Sequence, residues 1–142
     1  MTVWVGKPLV LAIHDRQLAE HGGNPGVRDE GLLDAAVARP RQLHAHGDPP
    51  PDLAALAANL AHGLVRSHPF IDGNKRTAHV CYRVFLRLNG ADLVAPAEAK
   101  YVALLGLAEG SIDEARFAAW VRAHLVPGSG VVHEAQVVYS KP

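Results

Sequence analysis

The sequence has one cysteine, no excess of either charge and no long apolar run, and each of these absences excludes a class of protein. A single cysteine, Cys81, cannot form an internal disulfide. The 14 basic and 14 acidic side chains cancel, which argues against broad electrostatic binding to nucleic acid or to an anionic membrane. Because it lacks a signal peptide and a membrane-length apolar run, we expect the chain to stay in the cytoplasm.

The chain has enough residues and enough apolar side chains to form one hydrophobic core. The 142 residues are 49% hydrophobic, which predicts a single domain, and they contain no internal repeat. Helical periodicity predominates, so the predicted fold class is all-α with about six helices. The predicted helices cover 8–21, 29–39, 52–66, 77–88, 96–109 and, starting at 111 or 113, a last one reaching 125.

The ends of these helices are set by capping and breaking residues. Pro40 is expected to end the second helix, and Gln42 to Pro51 to form a loop. Cys81 falls on the apolar side of its helix and is expected in the core. We predict one domain over 1–126 and a tail over 127–142, in which 131–139 has the composition of an edge strand.

A break between two helical patterns contains the densest polar chemistry of the chain. Upstream, one apolar stripe recurs along 53–64 and stops at His68, because Pro69 disfavours helical geometry in the residue before it. Downstream, the helical pattern resumes and continues to Asn89-Gly90. Between the two, Asp72-Gly73-Asn74 has the chemistry of a turn and an N-cap.

The start of the downstream helix is predicted to bind an anion. Its first backbone N–H groups lack helical partners and lie at the positive end of the helix dipole. Gly73 has no Cβ, so an anion can approach its backbone closely. Lys75 and Arg76 add cations where the dipole disfavours them unless an anion is present. A phosphate removes this conflict.

The side chains around this anion site suggest separate roles. His68 can accept a proton from an attacking hydroxyl near neutral pH, and Asp72 is the type of ligand that Mg²⁺ takes beside phosphates. Phe70 is expected to point inward and anchor the loop. Asn74 either contacts phosphate or fixes the loop, and Arg66 either reaches the cleft or lies exposed at its helix end.

The segment from His68 to Arg76 resembles the Fic motif, H-x-F-x-D/E-G-N-x-R. Its continuation to Ala78 resembles the death-on-curing (Doc) branch of that superfamily, and Ile13 to Asp15 with Gly22 to Leu33 is similar to the N-terminal Doc pattern. The resemblance covers about Leu9 to Leu125. It implies a Fic fold, with about six helices around a central motif helix, a short flap and an irregular or strand-like C-terminal tail.

The resemblance also implies an activity. Adenylyl-transferring Fic proteins are expected to have glycine where this chain has Lys75 and a second arginine where it has His79. The Doc branch implies the opposite nucleotide orientation: a kinase that transfers the γ-phosphate of ATP, with Mg²⁺, to a Thr or Ser of a translation factor of the elongation factor Tu type. His68 would be the base, and Lys75 and Arg76 would stabilise the transferring group.

A second candidate region and the mode of control also follow from the resemblance. The Fic flap beside the active site lines up the target segment, and here it corresponds to Gly22, Gly23, Gly26, Val27 and Arg28, with backbone groups for strand-like pairing. Self-inhibited Fic proteins resemble S/T-x-x-x-E-G/N, which this sequence does not contain. A Phd-like antitoxin is therefore the expected restraint on a toxin that arrests growth.

Two other functions stay open, an adenylyl transferase and a non-catalytic module that binds a nucleotide or a partner. Metal chemistry based on the nine histidines is disfavoured. His14-Asp15 lacks the earlier histidine of an HD phosphohydrolase, and His44 and His46 lack partners at tetrahedral spacing. We expect His14 to be a structural residue of the first helix, and His44 and His46 to lie on a surface loop.

Overall fold

The computed structural model describes residues 1–128 of the chain, and this part contains six helices. They are α1 (Lys7–His21), α2 (Glu30–His46), α3 (Leu53–Ser67), α4 (Asn74–Leu88), α5 (Ala97–Glu109) and α6 (Glu114–His124). Two short strands, β1 (Ala91–Leu93) and β2 (Leu125–Pro127), pair antiparallel. The predicted all-α class is confirmed. Within residues 1–128, every helix is too short or too polar to reach across a lipid bilayer.

Helices α3 and α4 form the centre of the fold. Helix α3 packs against α2, α4 and α6, while α4 also contacts α1. Both are buried around most of their circumference, and the core includes Leu60, Leu64, Tyr82 and Phe85. Cys81 is also fully buried, as expected, and burial raises the pKa of its thiol, so the group stays protonated. The packing fixes the two ends of the loop that joins α3 to α4.

Side-chain caps start three of the helices where the sequence places them. Asp29 accepts a hydrogen bond from the N–H of Leu32, and Asp113 caps α6 in the same way. Asp52 caps α3 through the N–H of Ala55 and also forms a two-bonded ion pair with Arg122, at 2.6 and 2.9 Å. These local bonds satisfy N–H groups that have no helical partner.

The prediction that Pro40 ends the second helix was wrong. Helix α2 continues through Pro40 to His46, so His44 and His46 lie on a helix and not on a loop, although both are exposed. Leu33, Ala36 and Pro40 lie on one face of α2 and are buried. Burial of this face against α3 outweighs the hydrogen bond that a proline removes.

The small sheet was not predicted. Ala91 pairs with Pro127 and Leu93 with Leu125, so the chain after α6 returns to the turn that follows α4. Three-residue strands are too short to show an alternating pattern. The expected boundary between 126 and 127 falls within β2, and the division into domain and tail stays a prediction. The expected edge strand over 131–139 lies outside the described residues.

Candidate active site

The loop between α3 and α4 begins at His68, which has an unusual backbone conformation. His68 has φ 50° and ψ 58° and is the only non-glycine residue with positive φ in the described range. The following Pro69 disfavours right-handed helical geometry at His68, and a left-handed residue of this kind persists only where its surroundings hold it. The imidazole side chain is exposed and lines a cleft.

Arg28 holds the backbone of His68. Its guanidinium donates from Nε to the carbonyl oxygen of His68 at 2.6 Å and from Nη2 to the carbonyl oxygen of Ser67 at 2.8 Å. These carbonyls belong to the last turn of α3, where helical partners are missing. The sequence assigned Arg28 to target docking as part of the flap, whereas the structure turns its side chain towards the residue before Pro69.

Phe70 anchors the loop. Its side chain is buried and stacks on the ring of His14, with centroids 3.7 Å apart and planes 8° apart. The amide of Asn74 bonds both backbone groups of Phe70, accepting from its N–H at 2.9 Å and donating to its carbonyl at 3.0 Å. Of the two roles considered for Asn74, the structure shows the fixing of the loop.

His14 is a structural residue of this loop. It is 2% exposed, and its Nε2 lies 2.8 Å from the carbonyl oxygen of Asp72. A carbonyl oxygen only accepts, so Nε2 carries the proton. His14 therefore supports the loop through its contacts with both Phe70 and Asp72. These contacts could not be predicted from the sequence, because His14 and Asp72 are 58 residues apart.

The N-terminus of α4 is open to an anion. Its N-cap is Gly73, with φ 79°, and no side chain among the described residues caps the helix. The first helical bond runs from the N–H of Thr77 to the carbonyl of Gly73, which leaves the preceding N–H groups without helical partners. A Cβ at position 73 would approach Leu18 to 3.3 Å. The turn lies where Asp72-Gly73-Asn74 predicts it, but the side chain of Asp72, which alone would most often be an N-cap, does not cap α4.

Asp72 instead bonds the flap. Its Oδ2 accepts a hydrogen bond from the N–H of Asn24 at 2.8 Å, and Gly23 lies so close that an added Cβ would be 3.2 Å from the Cβ of Asp72. The other carboxylate oxygen, Oδ1, has no hydrogen bond within residues 1–128. Asp72 is half-buried and lines the cleft.

The flap pairs with the motif loop along one edge. Val27 and Phe70 form an antiparallel bridge, in which Arg28 N–H donates to Pro69 at 2.7 Å and Ile71 N–H donates to Gly26 at 3.1 Å. In this pattern the N–H and C=O of Val27 itself face the opposite side. Neither of them forms a hydrogen bond inside the described range. That edge is free to pair with another extended segment.

The structure brings most of the predicted residues together around one cleft of about 490 Å³. From the motif it is lined by His68, Ile71, Asp72, Gly73, Asn74, Lys75 and Arg76, and from the flap by Gly22 and Gly23. Sequence analysis missed two further lining residues, His21 and Tyr101. His21 is the last residue of α1 and Tyr101 lies in the second turn of α5, and no local motif distinguishes them.

Arg66 is not among the residues that line the cleft. Its Nη1 donates to the carbonyl oxygen of Ala108 at 3.1 Å, in the last turn of α5, where a cation pairs with unsatisfied carbonyls. The structure thus gives no support to the prediction that Arg66 contacts phosphate. The geometry fits the other prediction for Arg66, an exposed arginine at the end of its helix.

His79 lies on α4, one turn beyond Lys75, and is 5% exposed. Burial is the main cause that lowers its pKa to about 3, and the nearby cations Arg83, Lys100 and Arg76 lower it further. The imidazole is therefore neutral at physiological pH. It provides no fixed positive charge at the position where adenylyl-transferring Fic proteins are expected to have a second arginine.

Comparison with known sequences agrees with this geometry. Residues 4–86, which include α1, the flap, the motif loop and most of α4, match the sequence model of the Fic/DOC family. The chain belongs to the Fic/DOC family. The family predicted from the motif and the flap pattern is therefore confirmed.

Two curated relatives resemble this Fic/DOC chain. The protein named Toxin Doc from Mycolicibacterium smegmatis is 50% identical over 74 residues, which are 52% of this chain and 57% of that protein. The protein named Protein kinase doc from Escherichia phage P1 is 34% identical over 84 residues, 59% of this chain and 66% of that protein. The chain thus spans less than two thirds of the length of either relative.

A metal site made of protein ligands alone is not found in the described part of this Fic/DOC chain. No three His, Cys, Asp or Glu side chains within residues 1–128 are grouped so that they could hold a metal ion. Asp72 lines the same cleft as the open N-terminus of α4. A single carboxylate with one unbonded oxygen suits Mg²⁺ held jointly with phosphate oxygens and waters, which is how this ion is usually bound.

Proposed function

We propose that this chain is a Doc-type toxin, a protein kinase that transfers the γ-phosphate of ATP to a Thr or Ser hydroxyl of a translation factor of the elongation factor Tu type. The observation that carries the proposal is the joint placement of His68, Lys75 and Arg76 around the open N-terminus of α4. The name Protein kinase doc of the phage P1 relative supports it.

In this mechanism His68 takes the proton of the target hydroxyl. The hydroxyl oxygen forms a bond to the γ-phosphorus, the bond from that phosphorus to the oxygen bridging to the β-phosphate breaks, and ADP leaves with that bonding electron pair. The backbone N–H groups at the start of α4, together with Lys75 and Arg76, stabilise the charge on the transferring group. Positioning and charge stabilisation account for most catalysis of phosphoryl transfer.

Asp72 is the residue that would hold Mg²⁺. One of its oxygens is fixed by the flap, and the other has no hydrogen bond in the described residues. When bound, Mg²⁺ neutralises charge on the phosphates. Asp72 itself contributes orientation, since its carboxylate and its carbonyl are both held, by Asn24 and His14 respectively.

Lys75 and His79 favour the kinase over an adenylyl transferase. A long cation at position 75 crowds the place where the α-phosphate would lie if adenylyl were transferred. The neutral, buried His79 does not replace the second arginine that grips the distal phosphates in that orientation. Lys75 and His79, the two positions that differ from the adenylyl-transferring pattern, lie one turn apart on α4.

The flap is the proposed docking edge for the target. Its inner edge pairs with the motif loop, and the N–H and C=O of Val27 face outward. A target segment that pairs with this edge would extend a two-stranded arrangement and bring its hydroxyl to His68. Gly22, Gly23 and Gly26 all have positive φ, which glycine adopts without strain, and the absence of a Cβ leaves room for a close backbone approach.

A Phd-like antitoxin is the proposed restraint. The relative from Mycolicibacterium smegmatis is named a toxin, and the inhibitory Fic motif is missing from this sequence. A separate protein that covers the cleft would then prevent phosphorylation of the translation factor until it is removed. A disordered antitoxin segment that folds on binding suits this role.

Incubation of the chain with elongation factor Tu, Mg²⁺ and ATP labelled separately at the α and γ positions tests the proposal. Transfer of γ-label alone supports the kinase, and it should be lost in His68→Ala but kept in His46→Ala, which removes an exposed histidine away from the cleft. Transfer of α-label establishes an adenylyl transferase. Nucleotide binding without any transfer establishes a binding module.

A further inference from the structure

Ile71 places an apolar side chain in a cleft that is otherwise polar. It is 50% exposed, and among the described residues that line the cleft it is the one with an aliphatic side chain. The Fic motif leaves this position unspecified, and no step of the proposed mechanism uses it. A single exposed apolar side chain is common on protein surfaces, so its position relative to the flap decides what it can do.

The side chain of Ile71 lies over the flap at Gly26. The N–H of Ile71 donates to the carbonyl of Gly26 at 3.1 Å, one step along from the bridge between Val27 and Phe70. Gly26 and Ile71 are therefore opposite each other across the two segments. A Cβ added to Gly26 would lie 3.1 Å from the Cδ1 of Ile71. Ile71 thus contacts the flap where Gly26 has no side chain.

This face of the flap is turned away from the core. Phe70 is buried and Val27 packs against the core, and neighbouring residues of an extended segment point to opposite faces. Gly26 and Ile71 are therefore on the other face, where Ile71 lines the cleft. Apart from the chain neighbours of Gly26, Ile71 is the only described residue within 4 Å of a Cβ placed on Gly26.

A target segment paired with the outer edge of the flap would bring one side chain over Gly26. Adjacent strands are about 4.8 Å apart, so the backbone of such a segment would lie about 10 Å from that of Ile71. Two large side chains can meet over this distance when a glycine lies between them, and a large side chain often covers a glycine of the neighbouring strand. The target residue opposite Gly26 would therefore contact Ile71.

The position of the base sets the register of this segment. A target residue opposite Val27 would point to the core side, so its two neighbours would point to the cleft. One of them lies opposite Gly26 and the other opposite Arg28, whose guanidinium bonds the carbonyl of His68. The acceptor hydroxyl therefore belongs opposite Arg28, beside the base. The acceptor and the residue that contacts Ile71 are then two positions apart.

We propose that Ile71 and Gly26 form an apolar specificity subsite, which receives a large aliphatic or aromatic side chain two residues from the acceptor Thr or Ser of the target. The proposal rests on the kinase function and on the docking edge, and it adds a sequence requirement. An antiparallel target segment places the apolar residue after the acceptor, and a parallel one places it before. A charged or amide side chain would lose water against Ile71 without gaining a partner, so the subsite rejects such targets.

The test uses a library of short peptides with one central Thr and varied flanking residues, passed over the immobilised full chain. We expect peptides with Leu, Ile, Phe or Tyr two residues from the Thr to be retained about tenfold or more over those with Asp or Asn. The preference should persist in Ile71→Val and be lost in Ile71→Asn. The matched control is Val102→Asn, which changes an exposed valine of α5 outside the cleft and should keep the preference.

Ile71→Lys provides a gain that a folding defect cannot produce. Its retained peptides should have Asp or Glu two residues from the Thr, because the opposite charge now fits. Apolar selection at any other position, or equal selection by Ile71→Asn and the unaltered chain, overturns the subsite.

Retention needs neither ATP nor phosphoryl transfer, which separates this proposal from the kinase function. The retained peptides are afterwards incubated with the unaltered chain, Mg²⁺ and γ-labelled ATP. Selection at the expected position without label transfer supports the subsite and contradicts the kinase. Label transfer to peptides irrespective of that position supports the kinase and overturns the subsite.

Discussion

The side chain of Arg28 donates a 2.6 Å hydrogen bond to the backbone carbonyl of His68. A residue of the flap, 40 positions earlier in the chain, thereby holds the proposed base in a left-handed conformation that residues other than glycine adopt only in a small minority of cases. The same guanidinium bonds Ser67. Alignment of the base thus depends on the segment proposed to dock the target.

We expect Arg28→Ala to lower kcat for phosphoryl transfer by roughly 10-fold to 100-fold, because a small displacement of a catalytic group has an effect of this size. The KM for ATP should change little, since Arg28 does not line the cleft. Added guanidinium should restore part of the rate. Arg116→Ala removes an exposed arginine of α6 and serves as the control; a rise in KM without a fall in kcat would contradict the positioning role of Arg28.

His14→Phe separates the two supports that His14 gives to the loop. The phenyl ring keeps the stack on Phe70, whereas the hydrogen bond to the carbonyl of Asp72 is lost. We expect the free energy of unfolding to fall by about 1–2 kcal/mol, because a partly buried carbonyl loses its partner. Urea denaturation measures this change. Stability equal to that of the unaltered chain would show that the bond to Asp72 contributes nothing.

The stability of the protein should depend on pH through His79. Its pKa is about 3 in the folded state and about 6.5 in the unfolded state, so below pH 6.5 the unfolded chain binds a proton that the folded chain does not. Stability is therefore complete above about pH 6.5 and is lost as the pH falls towards 3. Between pH 7 and pH 5 the loss should be about 2 kcal/mol.

The variant His79→Gln isolates this effect, because glutamine does not titrate. Denaturation of this variant at the two pH values should show a smaller loss than the unaltered chain, by about 2 kcal/mol. His46→Gln changes an exposed histidine and should keep the original dependence. Identical losses in His79→Gln and the unaltered chain would mean that His79 is protonated in the folded state as readily as in the unfolded state.

Lys75→Ala tests the cation that stands where adenylyl-transferring Fic proteins are expected to have glycine. Without its charge at the start of α4, γ-label transfer should fall by about 100-fold, whereas folding should be unaffected because Lys75 is exposed. Initial rates with γ-labelled ATP give the result, with Arg116→Ala as the control. A Lys75→Ala variant that transfers γ-label at the original rate would remove Lys75 from the mechanism.

The fold and much of the site follow from local sequence. Gly73, Asn74 and the apolar spacing after Thr77 specify a turn and a helix within a few residues, so the open start of α4 could be predicted directly. The pairing of Val27 with Phe70 could be expected only through the family resemblance. Its physical basis, hydrogen bonds between segments more than 40 residues apart, has no local pattern.

The errors share this non-local cause. Pro40 was predicted to end the second helix because a proline lacks a backbone N–H. The helix continues past it, because burial of this face of α2 against α3 outweighs the lost hydrogen bond. The side chain of Asp72 has the chemistry of an N-cap, but its carboxylate accepts a hydrogen bond from the backbone N–H of Asn24 in the flap instead. The sequence left open whether Arg66, two residues before His68, reaches the cleft, and in the structure its helix directs it to Ala108 of α5. In each case a partner distant in sequence replaces the local one.

The mass of elongation factor Tu after incubation with this chain, ATP and Mg²⁺ tests the central claim most directly. Intact-protein mass spectrometry should show the addition of one phosphate group, and fragmentation should locate it on a Thr or Ser side chain. The addition should be missing with His68→Ala and present with His46→Ala. The addition of an adenylyl group, or an unchanged mass with fully folded enzyme and bound ATP, would contradict the assignment of this protein as a kinase of that factor.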